Sequence, residues 1–165
     1  MIYTGNYKNC SSSKMFVSIS GDMGKDAGYE GRYYLPLAPK KEFFKKWKEN
    51  IGKISEEENM LFYIENYYKK VLKNIDIDSL ICNLNFPCII GCYEDDDKFC
   101  HRYIAAAYLE IIFGIDIPEV KVVDNKLIKL PKSNISKRIS NILYDVLIKD
   151  IDNEKHAKNK IMKLL

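Results

Sequence analysis

The seven residues PCIIGCY, Pro87 to Tyr93, constrain the fold more than any other stretch. A strand shows its side chains alternately to two faces, and here both faces are apolar, so the segment belongs inside a sheet that is covered on each side. Parallel sheets are the usual setting for such strands. An acidic run, EDDD, follows, and then KFCHRYIAAAYLEIIFG, whose alanines and closing Gly114 predict a helix with a left-handed stop. Strand, turn and helix in that order form half of a βαβ unit. PEVKVVD supplies the other half, and KLIKL folds back on it as a hairpin after Asp124-Asn125.

The remaining segments fit the same plan. MIYTG and MFVSIS (Met15 to Ser20) read as strands, the second stopped by Gly21-Asp22. Gly21 to Lys40 holds four of the eight glycines and two of the five prolines, which predicts a long irregular loop of the kind that often carries function. KKEFFKKWKENIG places Phe43, Phe44, Trp47 and Ile51 at helical spacing before Gly52. SEEENMLFYIENYYKKVLKN opens on a capping box, Ser55 with Glu58, and repeats Leu61, Ile64, Tyr68 and Leu72. DIDSLICNL predicts a shorter helix. After Ser133, the stripe of Ile135, Ile139, Ile142, Val146 and Leu147 predicts one long helix or two short ones. The expectation is a single three-layer α/β domain over residues 1–165, with a mainly parallel sheet and helices on both faces. Its core spans 1–123, and 124–165 form a basic hairpin and helical appendage.

Composition narrows the classes. A chain of 165 residues supports one core. No apolar run approaches the roughly 20 residues of a membrane span, and the first residues lack the basic-then-apolar layout of a signal peptide, so a cytoplasmic location without membrane contact is expected. Five cysteines with no CxxC pair argue for reduced thiols over a disulfide framework or a zinc ribbon. The net charge of +3 is too small to imply nucleic-acid binding by the whole chain. From Asn125 onward, however, ten lysines and arginines face four acids, so the tail is where nucleic acid would bind. The alternative is that its apolar stripe docks on the domain and the lysines face water.

Ligands of open parallel sheets bind beyond the carboxyl ends of the strands. Gly5 and Asn6, then Ser20, Gly21 and Asp22, then Cys92 and Glu94, stand at predicted strand ends and would meet Cys100, His101 and Arg102 at the start of the alanine-rich helix. Free N–H groups there, with the planar fork of Arg102, suit a small anion or nucleotide. Cys100, in the first turn beside His101, has the setting that lowers a thiol pKa and is the candidate nucleophile; His101 would move protons and Glu94 act as base. Tyr33 in the long loop, with Tyr29 and Tyr34, would stack on a base or pin the loop to the surface. Competing structural roles are inward packing for Cys100, burial for Cys92, core positions for Cys82 and Cys88, turn chemistry for Asp22, and an Arg102 ion pair to Asp95, Asp96 or Asp97. Cys92, Glu94, Cys100 and His101 include zinc-competent groups, but their spacing fits no common zinc motif and EDDD lacks EF-hand spacing; no metal and no cofactor are expected.

IIGCYEDDDKFCHRYIAAAYLE resembles the signature of the domain of unknown function 488 family: an apolar strand ending in Cys-x-Glu, an acidic spacer, and Cys-His-Arg opening a helix. TGNY, VSISGD and GYEGRYYLPLAPKKEF are similar to further family elements, so the resemblance runs from Met1 to Val123. Many members place an arginine after the aspartate where this chain reads SGDMGK, which sets an Asp-Arg pair aside here. The family carries no established reaction, so the resemblance implies a fold and a place for the site. The expected function is an enzyme or enzyme-derived domain binding a phosphate-bearing small molecule, a nucleotide or nucleic-acid component. The alternatives are a binding module without turnover and a purely structural junction.

Overall fold

In the computed structural model, which describes Met1–Leu165, the PCIIGCY segment becomes β4 (Cys88–Cys92). It lies between β1 (Ile2–Asn6) and β2 (Phe16–Ser18), with the two-residue β3 (Arg32–Tyr33) at the edge beyond β2. Every pairing is parallel; Tyr3 lies opposite Ile89, Gly5 opposite Gly91, and Val17 opposite Ile90. The two-residue period sorts the side chains. Ile2, Val17, Cys88 and Ile90 join the larger core, while Tyr3, Phe16 and Ile89 join a smaller one on the opposite face.

The larger core is covered by α3 (Glu56–Lys70), α4 (Ile77–Leu84), α5 (His101–Phe113) and α6 (Asn134–Leu164), with α2 (Lys41–Asn50) packed on α3. The other face is closed by the one-turn α1 (Tyr7–Cys10), by Tyr29 and by the antiparallel hairpin of β5 (Val120–Val123) and β6 (Lys126–Lys129). This is the expected three-layer α/β arrangement with a C-terminal helix. Gly91 leaves room for the ring of Phe16 on the neighbouring strand: a Cβ there would overlap it.

Local signals act as expected. Ser55 Oγ accepts the Glu58 N–H at 3.1 Å, and Gly114 ends α5 with φ of 63°. Asp124 and Asn125, with φ of 51° and 61°, make the hairpin turn. β5 pairs along its length with β6, and the hydrogen-bonded link of this segment to the main sheet is a parallel bridge between Thr4 and Glu119 with a 3.0 Å bond from Thr4 N–H to Pro118 O. The second half of the βαβ unit is therefore a single bridge wide.

Several faces differ from the sequence reading. On α3 the buried stripe is Met60, Tyr63, Ile64, Tyr67 and Tyr68, while Leu61 is exposed; the tyrosines take the core positions. Ile51 lies past the end of α2 and is exposed. Cys82, expected in the core, is exposed because Leu80 and Leu84, one helical turn apart, turn the opposite face of α4 inward. The tail forms one helix of 31 residues, docked on α5 and α3 through Ile135, Ile139, Leu143 and Val146. Past Asp150 all its residues are exposed. No helix is long and apolar enough to cross a membrane.

Candidate functional site

The chain leaves β2 through Ile19, whose N–H bonds Gly91 O at 2.9 Å, so Ser20 emerges beside the end of β4. Cys92 closes β4, and α5 begins at His101 with Cys100 as its N-cap. Two strand ends and one helix start thus meet. The ligand atoms of Cys92, Cys100 and His101 lie within 4.8 Å of one another, and Cys92 Sγ is 3.5 Å from His101 Nδ1. All three residues are buried.

The imidazole is oriented by a backbone group. His101 Nε2 lies 2.8 Å from Ile19 O, and a carbonyl only accepts, so Nε2 carries a hydrogen and Nδ1 is the ring nitrogen that faces the sulfurs. Behind Cys92 runs a chain of hydroxyls. Ser20 Oγ donates to Cys92 Sγ at 3.7 Å and accepts from Tyr7 Oη at 2.9 Å, while Tyr7 Oη and Ser18 Oγ are 2.6 Å apart.

The two thiols are unequal, in the opposite sense to the sequence expectation. Burial, followed by the neighbouring Cys92, pushes the Cys100 thiol well above its ordinary value. A hydrogen bond from Cys100 holds Cys92 below its own, with further help from Ser20 and Arg102 and against the effect of burial. The helix start does not expose Cys100 as a free thiolate, because the cap residue is sealed in beside a second thiol.

The trio floors a cleft of about 540 Å³. Phe44, Trp47, Tyr63, Tyr93 and Phe99 wall it, and Lys41, Lys48, Asp26 and Glu94 stand at its mouth. The Trp47 and Phe99 rings are 5.7 Å apart, and Lys48 Nζ sits 4.6 Å above the Phe44 ring.

Of the residues singled out from sequence, Ser20, Gly21, Asp22, Cys92, Glu94, Cys100 and His101 line this cleft. Asp22 does so as a turn organiser. Its carboxylate accepts the N–H groups of Gly24 at 2.9 Å and Asp26 at 3.0 Å and the Tyr93 hydroxyl. Burial opposes the ionised form, but these donors hold the carboxyl below its ordinary value.

Arg102 does not reach the cleft. It is fully buried, with Nη2 2.9 Å from Glu119 Oε1 and Nε 3.3 Å from Oε2. Nη1 bonds Glu94 O at 2.8 Å, and Nη2 also meets Asp95 O at 3.3 Å and Tyr103 Oη at 2.9 Å. The acidic turn is thus held by its carbonyls, and the carboxylate partner is Glu119, which Thr4 Oγ1 bonds at 2.5 Å. All three guanidinium nitrogens of Arg102 are engaged in these buried bonds, on the far side of the junction from the cleft lining.

Gly5 and Asn6 lie on the far side of β4, since β1 and β2 flank it on opposite edges; Asn6 caps α1 through the Asn9 N–H at 2.8 Å. Tyr33 is exposed on the outer strand, and the Tyr29 hydroxyl lies 2.9 Å from both Phe16 O and Arg32 O, pinning the loop instead of covering the cleft.

The sequence reading missed Glu119, Tyr7, Ser18 and the Ile19 carbonyl, together with the aromatic and lysine groups of α2. The helical spacing of Phe44 and Trp47 marked a packing face. Nothing local says that this face leans over the end of β4.

Fold and site together define a parallel α/β protein with a sulfur–imidazole centre beneath an aromatic cleft. No family model, curated protein or solved structure matches the chain.

Proposed function

We propose that the chain is an enzyme, or a domain derived from one, that binds a phosphate-bearing small molecule, a nucleotide or nucleic-acid component, in this cleft. The observation that carries the reading is a buried Cys92–Cys100–His101 floor beneath aromatic walls with lysines at the mouth. Phe44 and Trp47 offer flat faces for a heterocycle, and Lys41 and Lys48 offer charge for the anionic group. Arg102 pins the Glu94 carbonyl and leaves that residue's carboxylate at the mouth, where it serves as the base. Membership of the domain of unknown function 488 family belongs to the same reading, supported by the Cys-x-Glu and Cys-His-Arg elements that build the floor and its backing.

Trp47 is the sole tryptophan and lines the cleft, so its emission reports occupancy. Titrating metal-free protein with nucleoside mono- and triphosphates quenches that emission, and Lys48→Ala weakens the binding several-fold. Unchanged emission and an unchanged melting temperature up to about 1 mM of every nucleotide would remove the proposal.

A further inference from the structure

The geometry points to a binding site for one borderline-soft divalent cation, zinc by its donor set, held by Cys92 Sγ, Cys100 Sγ and His101 Nδ1 with its fourth position open to the cleft. The inference deepens the reading of the cleft as a reaction site by naming the group at its floor. Covalent catalysis needs one thiol; here two thiols and one imidazole nitrogen converge, with all ligand atoms inside 4.8 Å. Zinc bonds of about 2.3 Å to sulfur and 2.0–2.1 Å to nitrogen at tetrahedral angles place those two atoms about 3.6 Å apart. Cys92 Sγ and His101 Nδ1 are 3.5 Å apart.

The surroundings match what a ligated metal requires. A ligating histidine gives its other N–H to a carbonyl or carboxylate, and His101 Nε2–H donates to Ile19 O at 2.8 Å. A ligating sulfur accepts a hydrogen bond from outside the centre, and Ser20 Oγ donates to Cys92 at 3.7 Å. Two thiolates neutralise a divalent ion, and the neighbouring Arg102 is already neutralised by Glu119, so the filled site adds no net charge to the interior. As the ion enters, the two thiol protons leave to solvent. The fourth side of the trio is the cleft floor, which leaves one coordination position for water or substrate. The spacing fits no common zinc motif because the ligands come from a strand end and a helix start separated by the acidic turn.

The full chain, reduced with a phosphine and stripped by chelator, is titrated with Co2+. The expected result is a tetrahedral cobalt spectrum with sulfur-to-metal charge transfer, saturating at one ion per chain and displaced by Zn2+. Cys92→Ser and Cys100→Ser each weaken binding by at least about tenfold and reduce the charge-transfer band. Cys82→Ser and Cys10→Ser leave it intact. A cobalt spectrum without charge transfer, or a band that survives in both the Cys92 and Cys100 variants, overturns the assignment. Alkylation of wild-type protein read by mass spectrometry makes the result independent of variant folding: Zn2+ protects Cys92 and Cys100 together, and equal labelling with and without Zn2+ overturns it. The nucleotide titration uses metal-free protein and the cobalt titration uses no nucleotide, so either reading can fail while the other stands.

Discussion

Arg102 and Glu119 are both buried, and each meets the other through two contacts, at 2.9 and 3.3 Å. Such a pair contributes little net stability when intact, because both ions lose water, but removing one partner leaves the other charged and unpaired in the interior. Arg102→Ala is therefore expected to lower the urea unfolding free energy by about 3–5 kcal/mol. Adding Glu119→Gln to that variant should recover part of the loss, since the unpaired charge is gone. Full additivity of the two changes in a double-mutant cycle would show that the pair is not coupled. The same cycle separates two roles for Arg102: its part in holding the turn under Glu94 moves stability, whereas an anion-binding role would appear as lost nucleotide affinity in the folded variant. The residue type suggested an anion site, and the placement turns it into a clamp on the acidic turn.

The clamp depends on an element outside the main sheet. Glu119 is positioned just before β5, where its carbonyl accepts the Leu130 N–H at 2.8 Å, and the hairpin that delivers Leu130 turns at Asp124 and Asn125, both with positive φ. A residue with a Cβ and no local side-chain hydrogen bond costs about 1–2 kcal/mol in that region. Asn125→Ala should lose stability on that scale, and Asn125→Gly should hold or gain; thermal unfolding of the two variants decides, and equal losses would show that the side chain, not the backbone angle, matters. The hairpin, the α3 cap and the Gly114 stop were legible because each is written in a few adjacent residues. β3 was not legible, since two residues carry no period. On α3 the stripe shifted away from Leu61 because Tyr63 and Tyr67, polar only at their tips, took the core face with Ile64 and Tyr68. At the site, Cys100 and His101 were legible as members of one junction, but the partner of Arg102 lies seventeen residues away, and Phe44, Trp47 and Tyr63 of the aromatic wall come from helices preceding β4 by tens of residues. Patterns with a period reveal elements; the meeting of distant elements is decided by packing that no single stretch encodes.

The whole molecule is closed by α6, whose middle is tied to α3 by a hydrogen bond and to the turn after α3 by charge, as well as by its apolar stripe. Asp150 accepts from the Tyr68 hydroxyl at 2.7 Å and pairs with Lys73 Nζ at 2.9 Å, and Lys73 also reaches Glu154 at 3.3 Å. The Lys73 ammonium, and then the Tyr68 hydroxyl, hold the Asp150 carboxyl below its ordinary value. A carboxyl with a depressed folded value contributes stability that is present above its unfolded value, near pH 4, and is lost as the pH falls through the folded one. Lys73, raised by the Asp150 and Glu154 hydrogen bonds, contributes in the opposite sense: fully below its unfolded value, near 10.4, and progressively less above it. The tether is therefore intact between these limits and fails first in acid. Because the groups are largely solvent-exposed, salt screens them and the effect is small. Asp150→Asn should lower the melting temperature at pH 7 in low salt, and the gap to wild type should close both near pH 3, where the wild-type carboxyl is also neutral, and in about 1 M salt at pH 7. A gap that persisted under both conditions would place the contribution of Asp150 in packing and in the Tyr68 hydrogen bond. Such a result would mean that apolar contacts and this hydrogen bond, not the ion pair with Lys73, hold the middle of the basic helix.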